Sequence, residues 1–109
     1  MKIKLYQVNP EKDTKQVMFM PYGMIDSVNK EIYDLVYESN LPCSSLEEVY
    51  AKLNIDHPSD YRCRSMSVSD VVEVCESDTV PQGFYFCDML GFKQIDFNSD
   101  DSSADTDPT

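Results

Sequence analysis

"HPSDYRCRSMSVSDVVEV", residues 57–74, holds the chain's single histidine, both of its arginines, four serines and three acids, and it runs directly into an apolar strand. Read as a reactive cluster, it would make the protein an enzyme. Read as a turn, it is architecture, because Ser and Asp side chains bond nearby backbone amides and lock an irregular entry into a strand. The second reading fits the residues better. His57 stands before Pro58, which drives it toward extended backbone, and Ser59 is placed to cap a short helical piece. None of Ser59, Ser65, Ser67 and Ser69 resembles a nucleophile elbow. Asp60 or Asp70 is expected to pair with Arg62 or Arg64 as a bidentate clamp. The polar residues then satisfy backbone that the loop would otherwise leave unpaired. Asp56, His57 and Asp60 make a poor zinc set, with no second histidine in the chain, and no calcium-loop spacing occurs. No metal or cofactor is expected. A small anion site built on Arg62 and Arg64 is the alternative to the clamp.

Upstream of this stretch, "NLPCSSLEEVYAKLN" (40–54) carries the clearest helix. Ser44 with Glu47, or Ser45 with Glu48, forms a capping box. Leu46, Val49, Tyr50 and Leu53 follow as one apolar stripe. Glu47 and Glu48 fall in the first turn, where the helix dipole favours acids, and Asn54 is a reasonable stop. A single apolar face implies packing on one side of a sheet. Strands are expected at 2–8, 17–20, 31–38, 68–77, 83–89 and 91–97. In the third of these Tyr33, Leu35 and Tyr37 should share a face, although Asp26 could instead cap a helix through Val28, Ile32 and Leu35. The strand at 68–77 should be central, because Val72 and Val74 face away from Val71 and Cys75 and both faces are apolar. The fold class is therefore α+β: a small antiparallel sheet of about five strands with one main helix packed on one face. Residues 1–97 form a single domain, and "NSDDSSADTDPT" (98–109) reads as a disordered acidic tail.

The chain has 109 residues and a formal net charge of −11, unevenly spread. Residues 1–20 carry a net +2, residues 21–97 a net −9, and the tail the rest. Such a molecule repels nucleic acid and anionic membrane surfaces. It is drawn to basic protein surfaces, including the grooves in which other proteins hold nucleic acid. No apolar run is long enough to span a membrane, and the start "MKIKLYQVNPEKD" lacks the apolar region of a secretory signal, so a cytoplasmic protein is expected. Cys43, Cys63, Cys75 and Cys87 are too far apart in sequence for a zinc knuckle or redox pair and read as free thiols.

"LEEVYAKLN", "HPSDYRCRSMSVSDVVEV" and "GFYFCDMLGFKQIDF" together resemble the YodL-like domain, found on mobile elements and phages of Firmicutes. The resemblance runs over roughly residues 31–97. It rests on a short helix ending in Asn, a Pro-x-Asp-Tyr turn, a Ser-x-Ser-Val-Ser-Asp-Val-Val strand entry and a Gly-Phe pair near the end. Cys63 stands where a small residue, often Gly, is expected, and Phe86 and Cys87 depart from the usual Tyr-Val-Asp. The resemblance implies an accessory module without catalytic residues. A small acidic protein of such an element further resembles inhibitors of host defence of the anti-CRISPR or anti-restriction type. On that reading Asp34, Glu38, Glu47, Glu48, Glu73, Glu76 and Asp78 occupy a basic nucleic-acid channel, such as that of an RNA-guided nuclease. Tyr33, Tyr37 and Tyr61 are candidate apolar anchors of a related inhibitor. Two other readings stand beside it: an RNA-cleaving enzyme with His57 as base and Arg62 and Arg64 on the phosphate, and a module that recruits another mobile-element protein.

Overall fold

The structure is a computed structural model, and it describes residues 1–13, 16–24, 28–55 and 57–96. Its element order is β1 (Lys2–Val8), β2 (Tyr33–Asn40), α1 (Leu46–Asn54), β3 (Val71–Glu76), β4 (Gly83–Asp88) and β5 (Gly91–Ile95). The strands make one five-stranded sheet in the order β2-β1-β3-β4-β5, antiparallel throughout. β3 lies at the centre, as its two apolar faces require. The expected tail at 98–109 lies outside the described residues, as do Asp26 and Asp56.

Alternation along the strands divides the core in two. Ile3 and Leu5 of β1, Val72 and Val74 of β3, and Tyr85 and Cys87 of β4 share one cluster with Leu46, Val49 and Leu53 of α1. Tyr61 and Met66, from the connection after the helix, complete that cluster. Val8, Val71, Phe84 and Phe86 form the second cluster with Val17 and Tyr33, and Met18, Tyr22, Val28 and Ile32 pack against it. The long connection between β1 and β2 therefore contributes to the core on the opposite face.

The helix begins where the capping pattern places it. Ser45 is the N-cap, and its hydroxyl accepts from the Glu48 amide at 3.1 Å. The Glu48 carboxylate reaches back to the Ser44 amide at 2.8 Å, so one donor of the first turn and the amide just before the cap are satisfied.

Three expectations are corrected. Residues 17–20 are a turn and not a strand. The Asp13 carboxylate takes the amides of Val17 and Met18 at 2.8 and 2.9 Å, and Gln16 and Phe19 adopt positive φ, so no ladder can form. The central strand starts at Val71 rather than 68, because Ser67–Asp70 is a turn closed by the Asp70 amide on the Ser67 carbonyl at 3.1 Å. The third correction concerns β2. Leu5 pairs with Tyr37 and Tyr6 with Leu35, which leaves Val36 as a bulge residue. One extra residue reverses the alternation. Tyr33 thus enters the second cluster, Tyr37 the first, and Leu35 is left 49% exposed.

Leu53 is fully buried in the first cluster. Leu53→Ala should lower unfolding stability by about 2–5 kcal/mol, the range for an aliphatic side chain whose cavity collapses only in part. Urea denaturation followed by far-UV circular dichroism measures it.

Candidate functional site

The dense stretch at 57–74 folds around a buried carboxylate. Asp70 is fully buried, and its Oδ2 accepts from the Ser67 amide at 2.9 Å and from Gln7 Nε2 at 3.0 Å. Arg64 Nη2 lies 3.7 Å from Asp70 Oδ1. This is a single long contact and not the bidentate clamp expected from the sequence. Asp70 Oδ1, Arg64 Nε and Ser67 Oγ are all buried with no hydrogen-bond partner among the described residues. Burial pushes the Asp70 carboxyl up to about 6, against the lowering effect of the Ser67 amide, Gln7 and Arg64.

Neighbouring residues bind other segments to the same point. Ser69, fully buried, holds φ +84. Its hydroxyl accepts from the Phe19 amide at 2.9 Å, and its carbonyl accepts from the Tyr33 hydroxyl at 2.6 Å. Ser69 and Asp70 exchange backbone bonds with Cys87. The Tyr61 hydroxyl and Gln7 both donate to the Arg64 carbonyl, at 2.6 and 3.0 Å. Burial, with the Asp70 and Asp13 charges, raises the Tyr33 hydroxyl well above its ordinary range. Tyr33, Tyr37 and Tyr61 are buried at 8, 8 and 6% exposure, so they are core residues and not contact anchors.

His57 is exposed, with Nε2 at 3.4 Å from Ser65 Oγ and its ring 4.8 Å from that of Tyr61. Arg62 donates to the carbonyls of Ser59 and Tyr61, and Arg64 to that of Val8 at 3.2 Å. The guanidinium groups expected beside a phosphate are thus committed to backbone carbonyls. Pro58–Tyr61 is a turn, closed by the Tyr61 amide on the Pro58 carbonyl at 3.0 Å, without the short helix expected after Ser59. Among the described residues no group of three or more His, Cys, Asp or Glu is placed to hold a metal ion. All four cysteines are free, and burial raises the Cys87 thiol to about 12.

The seven acids proposed as a partner surface fall into three places. Asp34 stands at the start of β2, tied to Lys12 Nζ at 3.0 Å and to Asn9 at 2.9 Å. Lys12, first, and Asn9 hold its carboxyl below the usual range. Glu38 and Glu73 flank Lys4 across the ladder, and Glu73 also accepts from the Tyr6 hydroxyl at 3.0 Å. The remaining four lie at the end of β3, on the loop after it and in the first turn of α1. Thr79 Oγ1 donates to the Ser44 carbonyl at 2.5 Å, which ties the loop that follows Glu76 and Asp78 to the residues that precede Glu47 and Glu48. The side chains of Glu47, Glu76 and Asp78 are exposed and make no hydrogen bond or ion pair among the described residues, and Glu76 stands opposite Lys2 in the ladder. Glu48 is occupied by the cap.

Two surface cavities adjoin the helix. One, of about 350 Å³, is lined by Pro42, Cys43, Glu48, Ala51, Lys52 and Ile55. The other, of about 290 Å³, is lined by Glu47, Tyr50, Val68, Asp88, Met89 and Phe92, among others. Asp88 borders the second cavity, but its Oδ1 accepts from the Tyr22 amide at 3.1 Å on the face of Phe84 and Phe86, away from α1.

What fold and site define is a sheet-built α+β domain with a buried polar keystone and exposed acids in the first turn of α1, at the end of β3 and on the loop after it. The chain belongs to the YodL-like domain family, whose model matches residues 2–97. Neither the curated proteins nor the solved structures include a match to it. No helix among the described residues is long and apolar enough to cross a membrane.

The Asp70 carboxyl titrates near 6 in the fold and near 4 in an unfolded chain. Between these values the folded state holds a proton that the unfolded chain has lost. Stability therefore falls as pH rises from about 4 to about 6 and is level above that window, by about 2–3 kcal/mol in all. Asp70→Asn removes the titration. Urea denaturation at pH 4 and pH 7 should show the wild type losing this amount relative to the variant, and a pH-independent difference would contradict the assignment.

Proposed function

We propose that this domain is a non-enzymatic interaction module that docks its acidic end on a basic protein surface. The single observation carrying this reading is the hydrogen bond from Thr79 to the Ser44 carbonyl, which ties the loop after Glu76 and Asp78 to the residues that precede Glu47 and Glu48. The net charge of −11 gives the whole chain a field of the same sign. Acids spaced over such a surface attract a cationic groove at long range and steer the encounter. The basic channel in which a host defence nuclease, such as an RNA-guided one, holds its nucleic acid is the partner we favour. The protein would then act in the cytoplasm as an anti-CRISPR or anti-restriction inhibitor encoded by a mobile element or phage. In this reading α1 packs on one sheet face, and its exposed first turn presents Glu47 to the partner. Asp34, Glu38, Glu73 and Glu76 contribute less, because Lys12, Lys4 and Lys2 stand beside them.

Two other readings remain in view. An RNA-cleaving enzyme would use His57, and the approach of Nε2 to Ser65 Oγ at 3.4 Å is its one support. A recruiting module would bind another mobile-element protein and leave host nucleases untouched.

The test is retention of host proteins on the immobilised chain at about 50 and about 300 mM salt, followed by nuclease inhibition by the purified chain. Retention should fall at least about tenfold over that range. The double change Glu76→Lys and Asp78→Lys should abolish both retention and inhibition, while His57→Ala leaves both unchanged. Salt-indifferent retention, or RNA cleavage lost with His57→Ala in a folded protein, would overturn the reading. Salt-sensitive retention of a protein other than a nuclease, without inhibition, would point to recruitment.

A further inference from the structure

The two edges of the sheet are finished differently. On β2 the ladder shifts register at Val36. β5 pairs with β4 without a shift from Gly91 to Ile95 and contains no proline. It has no strand on its other side among the described residues. The orientation of its backbone follows from Cys87, which exchanges bonds with Ser69 and Asp70 and so faces β3. Alternation then turns Phe84, Phe86 and Asp88 toward β5, where they meet Ile95, Lys93 and Gly91. The N–H and C=O of Phe92 and Gln94 therefore point away from the sheet, and neither residue finds another backbone partner among the described residues. A lysine is a common guard of such an edge. Here Lys93 is drawn back over the sheet face, with Nζ 5.0 Å from the centre of the Tyr22 ring.

We propose that the open edge of β5 takes an extended basic segment of a partner protein as a sixth strand of the sheet. The outward donors and acceptors of Phe92 and Gln94 supply the main-chain bonds, and pockets along the edge supply the choice of side chain. Phe92 packs against the first core cluster and Ile95 against the second. Both faces of β5 thus offer half-buried apolar surface, which apolar residues of the added strand would continue. Met89 and Leu90, on the turn before β5, are 69% and 99% exposed and extend that surface. Past the other end the chain is acidic, with five aspartates and no lysine or arginine after Ile95. Charge complementarity therefore selects a segment that carries basic residues. A second copy is the poorer occupant, because it brings two chains of net charge −11 side by side. The proposal rests on the reading of the domain as an acidic interaction module and names the backbone that module offers.

The test is a titration of the full chain with the blocked peptide Arg-Val-Thr-Val-Thr-Val-Arg, followed by amide chemical shifts and amide hydrogen exchange. Saturable shifts should map to residues 91–95. Exchange of the Phe92 and Gln94 amides should slow about tenfold or more at saturation, as for amides newly bonded in a ladder. N-methylation of the three central residues removes donors on both edges of the peptide and keeps its side chains and charge. It should weaken binding about tenfold or more, and glutamate in place of both arginines should do the same. Gln94→Pro removes an outward amide and leaves the pairing with β4, as edge strands tolerate. This variant should lose the peptide while keeping its circular dichroism spectrum; if it unfolds, the wild-type exchange and the N-methylated peptide decide. Absence of saturable shifts by about 5 mM peptide, unchanged exchange at Phe92 and Gln94, or equal binding of the N-methylated or glutamate peptide would overturn the proposal. So would a dimer of the free chain that slows the same amides as protein concentration rises. Salt-sensitive retention of host proteins with no strand addition would overturn it while leaving the broader acidic reading intact. If Glu76→Lys with Asp78→Lys leaves that retention unchanged but the peptide still adds to β5, the broader reading fails and the edge stands.

Discussion

A carboxylate with no exposed surface ties the molecule together. Asp70 draws Gln7 from β1, the Ser67 amide from its own turn and Arg64 from the preceding loop toward one point. Ser69, next to it, adds the Phe19 amide and the Tyr33 hydroxyl. Segments far apart in sequence therefore depend on a four-residue turn. Burying a charge with an unmatched oxygen is costly in itself, and the raised Asp70 carboxyl expresses that cost. The return is geometric. The turn sets where β3 begins, and β3 sits at the centre of the sheet.

That geometry explains why the polar residues of 57–74 do so little chemistry. Arg64 is turned inward to Val8 and Asp70, and Arg62 to the carbonyls of its own turn. His57 is left on the surface beside Tyr61. Exposed acids remain elsewhere, and the Thr79–Ser44 bond decides which of them are neighbours. In the proposed reading, recognition depends on where the β3–β4 loop rests against α1.

Much of the frame was legible in the residues. The helix shows its own N-cap, the central strand its two apolar faces, and β4 and β5 the tight turn between them, where Gly91 takes φ +100. The architectural reading of the Ser-Val-Ser-Asp entry was legible for the same local reason: short polar side chains next to a strand bond nearby amides. What was hidden is non-local. Asp70 looks like a surface acid until Gln7, sixty-three residues away, is placed beside it. "VMFM" has strand composition, but Asp13 takes its amides. Tyr33 and Tyr37 obey alternation in the sequence and lose it at Val36, because a bulge is a property of the paired strand and not of either one. In the candidate site, Glu47, Glu48, Glu76 and Asp78 were legible as acids, but the bond between Thr79 and Ser44 that sets the β3–β4 loop against the start of α1 was not, because its partners are thirty-five residues apart.

The bulge at Val36 also bears on how copies of this protein behave beside one another. β2 is an edge strand, and an unbroken edge offers evenly spaced donors and acceptors to any extended chain. Here the spacing is interrupted, and the Cys63 thiol already donates to the Val36 carbonyl at 3.1 Å. A second strand approaching that border would find its template out of step at mid-length. With Leu35 and Val36 both facing solvent, this irregularity guards a greasy margin against fibrillar stacking.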